Sequence, residues 1–572
     1  METYYIVIIV ILFVFAISDL VVGVSNDAVN FLNSALGSKA APFRVVMVIA
    51  ALGIIIGVTF SSGMMEVARK GIFHPEMFYF KEIMIIFLAV MMTDMILLDI
   101  FNTIGLPTST TVSIVFELLG AAVAITIIKV TGMGEGMESV GEYINSSKAL
   151  AIISGILLSV VVAFIVGAIV QYLVRMAFSF NYEKTYKYFG ALWGGIAISA
   201  ITYFILIKGA KGSSFMNPQS VLWIKTNTAW ILLISFVGWG LLLQLLMSIF
   251  RINILKIIVL IGTFALAMAF AGNDLVNFIG VPLAGLESFK AFAASSVSDP
   301  GLFSMESLSA AVRTPTILLL LAGIVMVATL WLSRKAKSVA KTELNLSRQD
   351  AGSERFQSSL IARHLVRNAI GTANIFKIVL PRRLMKRVDR RFDQKAANKR
   401  MRKEGLSFDL IRASVNLVVA SVLVAFGTSQ KLPLSTTYVT FMVVMGTSFA
   451  DRAWGRESAV NRITGVITVI GGWFLTAFSA FTGAFLVALI IHFGGMPAIG
   501  ILTLLAVFFL YKTTTHHRKR RKEEELLNEV GILQSQEDGL NIFESCNITV
   551  VSSIITISKL YFLTIDGFIN EK

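Results

Sequence analysis

The chain has 572 residues, of which 56% are hydrophobic and only 15% charged, and its mean hydropathy is +0.77. Soluble domains carry about 25% charged residues, so a soluble globular enzyme or binding module is excluded. The net charge of +15 is local: residues 334–404 hold 20 Lys/Arg against 6 Asp/Glu, and the rest of the chain is close to neutral.

The first element, "METYYIVIIVILFVFAISDL", reads as a helix rather than a cleavable leader. It lacks a basic opening and a small-residue cleavage site, and it runs into Asp19. Residues 45–65, 149–174, 190–207, 226–250 and 314–333 carry no Asp, Glu, Lys or Arg. Residues 463–511 carry only His492, and Gly-Gly-Met-Pro at 494–497 splits that run in two. A crossing helix needs about 20 apolar residues, which predicts about ten to twelve crossings plus shorter segments. The basic segment 334–404 begins with Arg334, Lys335 and Lys337 beside a span end, the pattern of a cytoplasmic loop under the positive-inside rule. "HHRKRRK" at 516–522 reads the same way and suits anionic headgroups. From about 523 the chain changes character: "KEEELLNEV" reads as a soluble helix, and Lys559 interrupts the apolar stretch 548–564. The single cysteine, Cys546, excludes an internal disulfide and a multi-cysteine metal site.

Two elements repeat in the same order. "GVSNDAVNF" at 23–31 recurs as "AGNDLVNFIG" at 271–280, so that Asn26, Asp27 and Asn30 correspond to Asn273, Asp274 and Asn277. "GLPTSTT" at 105–111 recurs as "KLPLSTT" at 431–437. The offsets are 247 and 326, and their difference of 79 is close to the length of the basic segment. The chain therefore reads as two halves with an insertion in the second. Paired polar interruptions of apolar segments mark transporters with internal repeats and a midplane site. Inverted topology follows if an odd number of crossings separates the halves.

In each "P-x-S-T-T", the proline ends the preceding extended segment and Ser or Thr opens a helix. Ser109, Thr110 and Thr111 should open a helix to about 128 after an apolar run at 83–98. Pro433 and Ser435, Thr436 and Thr437 should open 438–450 after a run at 413–430. Each pair makes a hairpin or broken helix. A helix N-terminus inside a membrane offers free N–H groups and a positive dipole end, and three hydroxyls add donors. Two such ends converging make an anion site without Lys or Arg. The plainer alternative, that the hydroxyls only cap their own helices, is hard to sustain for two copies each paired with Asn-Asp.

Intramembrane Asp27 and Asp274 are costly and so point to function. With their flanking asparagines they supply hard oxygen ligands for Na⁺, carry a proton, or accept from a protonated substrate oxygen. The last role favours phosphate over sulfate, which has no O–H at neutral pH. Capping in interfacial water is the plainer alternative. Asp94, Asp99 and Glu117 have no counterpart in the second half, where the 326 shift gives Ala420, Ala425 and Val443. They fit either interhelix pairing or an ion site confined to one half, and Asp19, two turns before Asp27, could line the same cavity.

These two motifs, together with "SALGSKA" at 34–40 and "GTSFADRAWGRESAVNRITGVITVIGGWFLTAF" from 446, resemble the inorganic phosphate transporter (PiT) family of cation–phosphate symporters. The resemblance covers about residues 5–333 and 407–490. It implies an all-α polytopic membrane protein with a two-fold internal, inverted repeat, whose broken or re-entrant helices meet at a midplane site. It implies phosphate binding by Ser109, Thr110, Thr111, Ser435, Thr436 and Thr437 with Asp27 and Asp274. It implies cation binding by Asn26, Asp27, Asn30, Asn273, Asp274 and Asn277. The chain departs from the family pattern at Val112 and Tyr438, which replace a His, at Val24-Ser25 and Ala271-Gly272 in place of Gly-Ala, and at Phe116 in place of Gly.

The expectation is thus a non-enzymatic secondary transporter importing inorganic phosphate with Na⁺ or H⁺, without a further cofactor. A permease for sulfate or another oxyanion, a channel and a non-transporting phosphate sensor are the alternatives. The expected partners are inorganic phosphate, the coupling cation and membrane lipid, with no nucleic acid; a homodimer stays open. Residues 1–210 form the first repeat; 211–333 hold linking helices and the start of the second; 334–406 are a basic loop insertion; 407–511 complete the second repeat; 512–572 are a tail. The expected location is a plasma or bacterial inner membrane, with 334–406 and 512–572 cytoplasmic.

Overall fold

The computed structural model describes residues 2–104, 108–208, 217–310, 314–332, 363–364, 367, 388–394, 401, 403–452, 456–535 and 558. Pro107, Arg334, Lys335, Lys337, most of the basic segment, Cys546 and nearly all of 548–564 lie outside them. Regular structure among the described residues is helical, apart from two isolated β-bridges.

In chain order the main helices are α1 (Glu2–Gly37), α2 (Phe43–Val58), α3 (Glu66–Lys70), α4 (Phe80–Ile104), α5 (Thr110–Met133) and α6 (Val140–Tyr143). They continue with α7 (Ser146–Phe178), α8 (Glu183–Ile201), α9 (Pro218–Thr226), α10 (Thr228–Ser248), α11 (Ile254–Ala293) and α12 (Thr316–Leu332). The last are α13 (Leu410–Ser429), α14 (Thr436–Ala450) and α15 (Arg456–Ser535). Nine described helices are long and apolar enough to cross a membrane, and the bent pair of α2 with residues 61–70 makes a tenth. The charge-free run 314–333 holds the shorter apolar helix α12, and α14 is likewise apolar but short. Helix α15 is broken at Gly495, whose φ of 56° suits glycine, two residues before Pro497.

Residues Met1–Ala506 form one compact unit, which holds everything described below, and Val507–Lys572 form another. Within the first, α11 packs on α2, α13 and α1, and α14 on α7. Two glycines permit this closeness. A Cβ on Gly57 would lie 2.3 Å from the Met268 carbonyl oxygen, and one on Gly446 would lie 2.2 Å from that of Phe164. Between apolar helices in lipid, such close backbone approach supplies the packing that hydrophobic burial cannot.

The two proline-containing motifs each follow one helix and open another, giving hairpins α4–α5 and α13–α14. Ser109 and Ser435 are the N-caps: each hydroxyl oxygen accepts, at 3.2 Å, the N–H three residues on, of Val112 and Tyr438. The far end of the second hairpin is clamped by Arg175 of α7. Its guanidinium donates to Asp409, the N-cap of α13, at 2.7 and 3.1 Å, and to Asp451, the C-cap of α14, at 2.9 and 2.7 Å. Gln171 adds a bond to Asp451 at 2.8 Å.

Candidate functional site

Both Asn-Asp elements lie inside uninterrupted helices, not at their ends. Asp27 sits on α1 and Asp274 near the middle of α11. Capping in interfacial water is therefore ruled out for either aspartate. Helix continues because neighbouring hydroxyls and amides engage the polar side chains, so these do not compete for the helix backbone.

The structure brings all twelve residues singled out in the sequence to one place, and none is more than 8% exposed. Their hydrogen bonds obey the repeat. Asn26 Nδ2 donates to the Thr108 carbonyl at 3.4 Å, and Asn273 Nδ2 to the Leu434 carbonyl at 2.6 Å. Thr108 and Leu434 correspond under the 326 shift. Asp27 accepts from Thr437 at 3.0 Å and from Thr110 at 3.4 Å. Asp274 accepts from Thr111 at 3.0 Å, and Thr436 stands beside it. Asn30 donates to Thr437, and Asn277 to Thr111, each at 3.0 Å. Each aspartate thus holds one threonine of its own half and one of the other. The openings of α5 and α14, with their free N–H groups and dipoles, meet between α1 and α11.

Correspondence fails at three positions. Thr440 donates to Asn30 Oδ1 at 3.2 Å, but its counterpart is Ile114, and Asn277 Oδ1 has no partner. Asp274 Oδ2 is also buried without a partner, whereas both oxygens of Asp27 are engaged. Tyr438 corresponds to Val112, and its ring stacks on Trp473 of α15. The orphaned oxygens of Asp274 and Asn277 fit a cation of the Na⁺ type, which takes carboxylate and amide oxygen. Among the described residues no group of three or more His, Cys, Asp or Glu is placed to hold a metal ion.

Asp19 does not join this ring. With Asp94 of α4 and Glu117 of α5 it forms a second buried group, in which Asp94 reaches both other carboxyls. Glu117 accepts from Ser113 at 2.7 Å, and Ser113 also stands beside Asp94; among the described residues the oxygens of Asp19 have no partner outside the group. Asp99 is buried on α4. Sequence reasoning missed Thr108, Thr440, Trp473 and Thr476. Thr476 meets the Thr108 hydroxyl at 3.0 Å, one turn beyond Trp473, and closes the first motif from the side of α15.

A bundle of apolar helices whose internal repeat gathers two capped helix openings and two aspartates in its interior defines a membrane protein with a buried polar site. Its family can be stated. The profile of the Phosphate transporter family matches residues 23–342, and the chain belongs to that family. The second Ser-Thr-Thr lies beyond the matched stretch. A provisionally named phosphate permease of Thermococcus kodakarensis is 27% identical over 198 residues, 33% of this chain and 45% of the relative. Another from Pyrococcus furiosus is 29% identical over 201 residues, 34% of this chain and 45% of the relative. The chain thus spans about half the length of the curated relatives it matches. A solved structure described as the sodium-dependent phosphate transporter superposes with a TM-score of 0.56. The match covers 85% of this chain and 99% of that one at 18% identity, a likeness of fold.

Proposed function

We propose that the chain is a secondary transporter that imports inorganic phosphate in symport with a cation. The observation that carries this reading is the crossed pairing of Asp27 with Thr437 and Asp274 with Thr111, which sets two helix openings and six hydroxyl side chains around one point. Ser109, Thr110, Thr111, Ser435, Thr436 and Thr437 bind the anion, with no Lys or Arg in the ring. The N–H groups of α5 and α14 and the hydroxyls supply donors. Asp27 and Asp274 accept from the protonated oxygen that phosphate carries and sulfate lacks. Asn26, Asn30, Asn273 and Asn277 place these carboxylates and contribute oxygens to the cation site. The orphaned oxygens at Asp274 and Asn277 favour Na⁺ over H⁺, and membership of the Phosphate transporter family supports the substrate.

Anion and cation bound together leave less uncompensated charge in a low-dielectric interior than either alone, and that difference couples them. Taking the bent α2 pair as one crossing and each hairpin as none, α11 is the fifth crossing after α1. It therefore runs opposite to α1, so the repeat is inverted. Residues 1–210 are the first repeat; 211–333 hold linking helices and the start of the second, which 407–511 complete after the 334–406 insertion. The insertion and the 512–572 tail face the cytoplasm of a plasma or bacterial inner membrane.

The test is phosphate uptake into proteoliposomes containing the full chain, under an inward Na⁺ or an inward proton gradient, with sulfate as competitor. Accumulation under the Na⁺ gradient, insensitive to sulfate and lost in Asp274→Asn, is expected. A folded protein that accumulates no phosphate under either gradient overturns the reading.

A further inference from the structure

Tyr438 and Trp473 place two buried donors side by side, and among the described residues neither completes a hydrogen bond of normal geometry. The Tyr438 ring is 2% exposed and stacks on the Trp473 indole, with centroids 3.6 Å apart and planes at 22°. The tyrosine hydroxyl comes up beside Ser109, the N-cap of α5, without completing a hydrogen bond. The Ser109 oxygen accepts the Val112 N–H at 3.2 Å. The indole Nε1 is likewise buried and has no acceptor. An indole N–H can only donate, and a tyrosine hydroxyl needs an acceptor to use its proton. Buried donors are nearly always paired, and leaving two unpaired side by side is expensive.

Their position says what the acceptor is. Tyr438 is the first residue after Thr437, and its own N–H is held by the Ser435 cap. Trp473 lies one turn before Thr476, which binds Thr108 at the mouth of the first motif. Both rings therefore border the two capped helix openings. The Ser and Thr side chains of the two motifs carry their own protons there, and both oxygens of Asp27 are engaged, by Asn26, Thr110 and Thr437. Neither ring donor is given an acceptor there, and a bound oxyanion would supply one.

We propose that the Tyr438 hydroxyl and the Trp473 indole N–H donate to an oxygen of the bound oxyanion, as an arm of the anion site supplied by the second half alone. The inference rests on the oxyanion reading above. Val112, the first-half counterpart, offers no donor, so the arm breaks the two-fold symmetry of the ring. The anion is held closer to Ser109 and Asp27, opposite the orphaned oxygens of Asp274 and Asn277. An anion on one side and a cation on the other is an ordered ion pair, which a symmetric ring could not define.

The experiment compares initial phosphate uptake by the reconstituted full chain with Tyr438→Phe, Tyr438→His and Trp473→Phe. Losing a donor to a charged acceptor should raise the KM for phosphate about tenfold in Tyr438→Phe, with the maximal rate within about twofold. Trp473→Phe should act in the same direction, and Tyr438→His, whose imidazole restores a donor, should recover most of the loss. An unchanged KM in Tyr438→Phe overturns the proposal. So does a lowered maximal rate and melting temperature at constant KM, which is the mark of a packing role. If the wild type accumulates no phosphate, the transport reading falls by itself, and the thermal shift induced by inorganic phosphate on the solubilised variants decides the contact. A shift reduced in Tyr438→Phe and restored in Tyr438→His supports it; equal shifts overturn it.

Discussion

Asp27 of α1 accepts the Thr437 hydroxyl at 3.0 Å, and Asp274 of α11 accepts the Thr111 hydroxyl at the same distance. Each bond crosses between halves of the repeat, so neither half can move alone without breaking one. Thr437→Val and Thr111→Val should therefore lower uptake by similar factors, about tenfold each for a lost charge-assisted bond. Thr437→Val added to Asp27→Asn should cost much less than the two losses combined, because the groups act as a unit. Initial rates of the two single and one double variant check this; independent, additive losses would mean that the pair does not act together.

The difference between the halves at position 114 bears on the cation. Asn30 Oδ1 is satisfied by Thr440, whereas Ile114 leaves Asn277 Oδ1 bare. Ile114→Thr would give that oxygen a hydroxyl donor and so a competitor to a metal ion. The expected result is a several-fold higher Na⁺ concentration for half-maximal uptake, with the phosphate KM at saturating Na⁺ little changed. A change in phosphate affinity instead would place the cation elsewhere.

Asp19, Asp94 and Glu117 crowd three carboxyls into a space where, among the described residues, no Lys or Arg pairs with them. Like charges buried together are unfavourable, and a chain keeps them only for use. Asp94, which touches both others, is the member to remove. Asp94→Asn should raise the melting temperature of the solubilised protein by a few degrees, since one charge leaves the crowd and amide N–H donors enter it. It should also reduce uptake at least about tenfold, the size of effect expected for a working buried charge. Differential scanning fluorimetry and uptake read the two effects separately, and a variant that gains stability and keeps full activity would make the cluster inert.

Much of this arrangement is legible in the sequence, for reasons visible in single residues. Ser109 and Ser435 read as caps because their own side chains make the bond, and the helices open within two residues of the expected place. Asn26-Asp27 and Asn273-Asp274 read as functional because polar residues in hydrocarbon have no other excuse. The capping alternative fails because the helices run straight through them. The reason is long-range: Thr437 lies 410 residues from Asp27 and Thr111 lies 163 from Asp274. The same applies to Trp473 and Thr476, ordinary span residues until α15 brings them against the first motif. Arg175 gave no signal either, because Asp409 and Asp451, its two partners, look in sequence like loop residues.

That clamp carries the last prediction. Arg175 is fully buried and ties Asp409, where α13 begins, to Asp451, where α14 ends, so it locks the two legs of the second hairpin together at the end away from Thr436 and Thr437. Removing one partner of a buried ion pair leaves uncompensated charge and costs about 3–5 kcal/mol. Arg175→Met should do so twice over, giving poor yield and a sharply lower melting temperature. Asp451→Asn leaves Asp409 paired and keeps an oxygen that can accept from the guanidinium, so its loss of stability should be smaller. If the clamp also sets the register of α14, Asp451→Asn should raise the phosphate KM at a temperature where the protein is fully folded. An unchanged KM there would confine the clamp to stability.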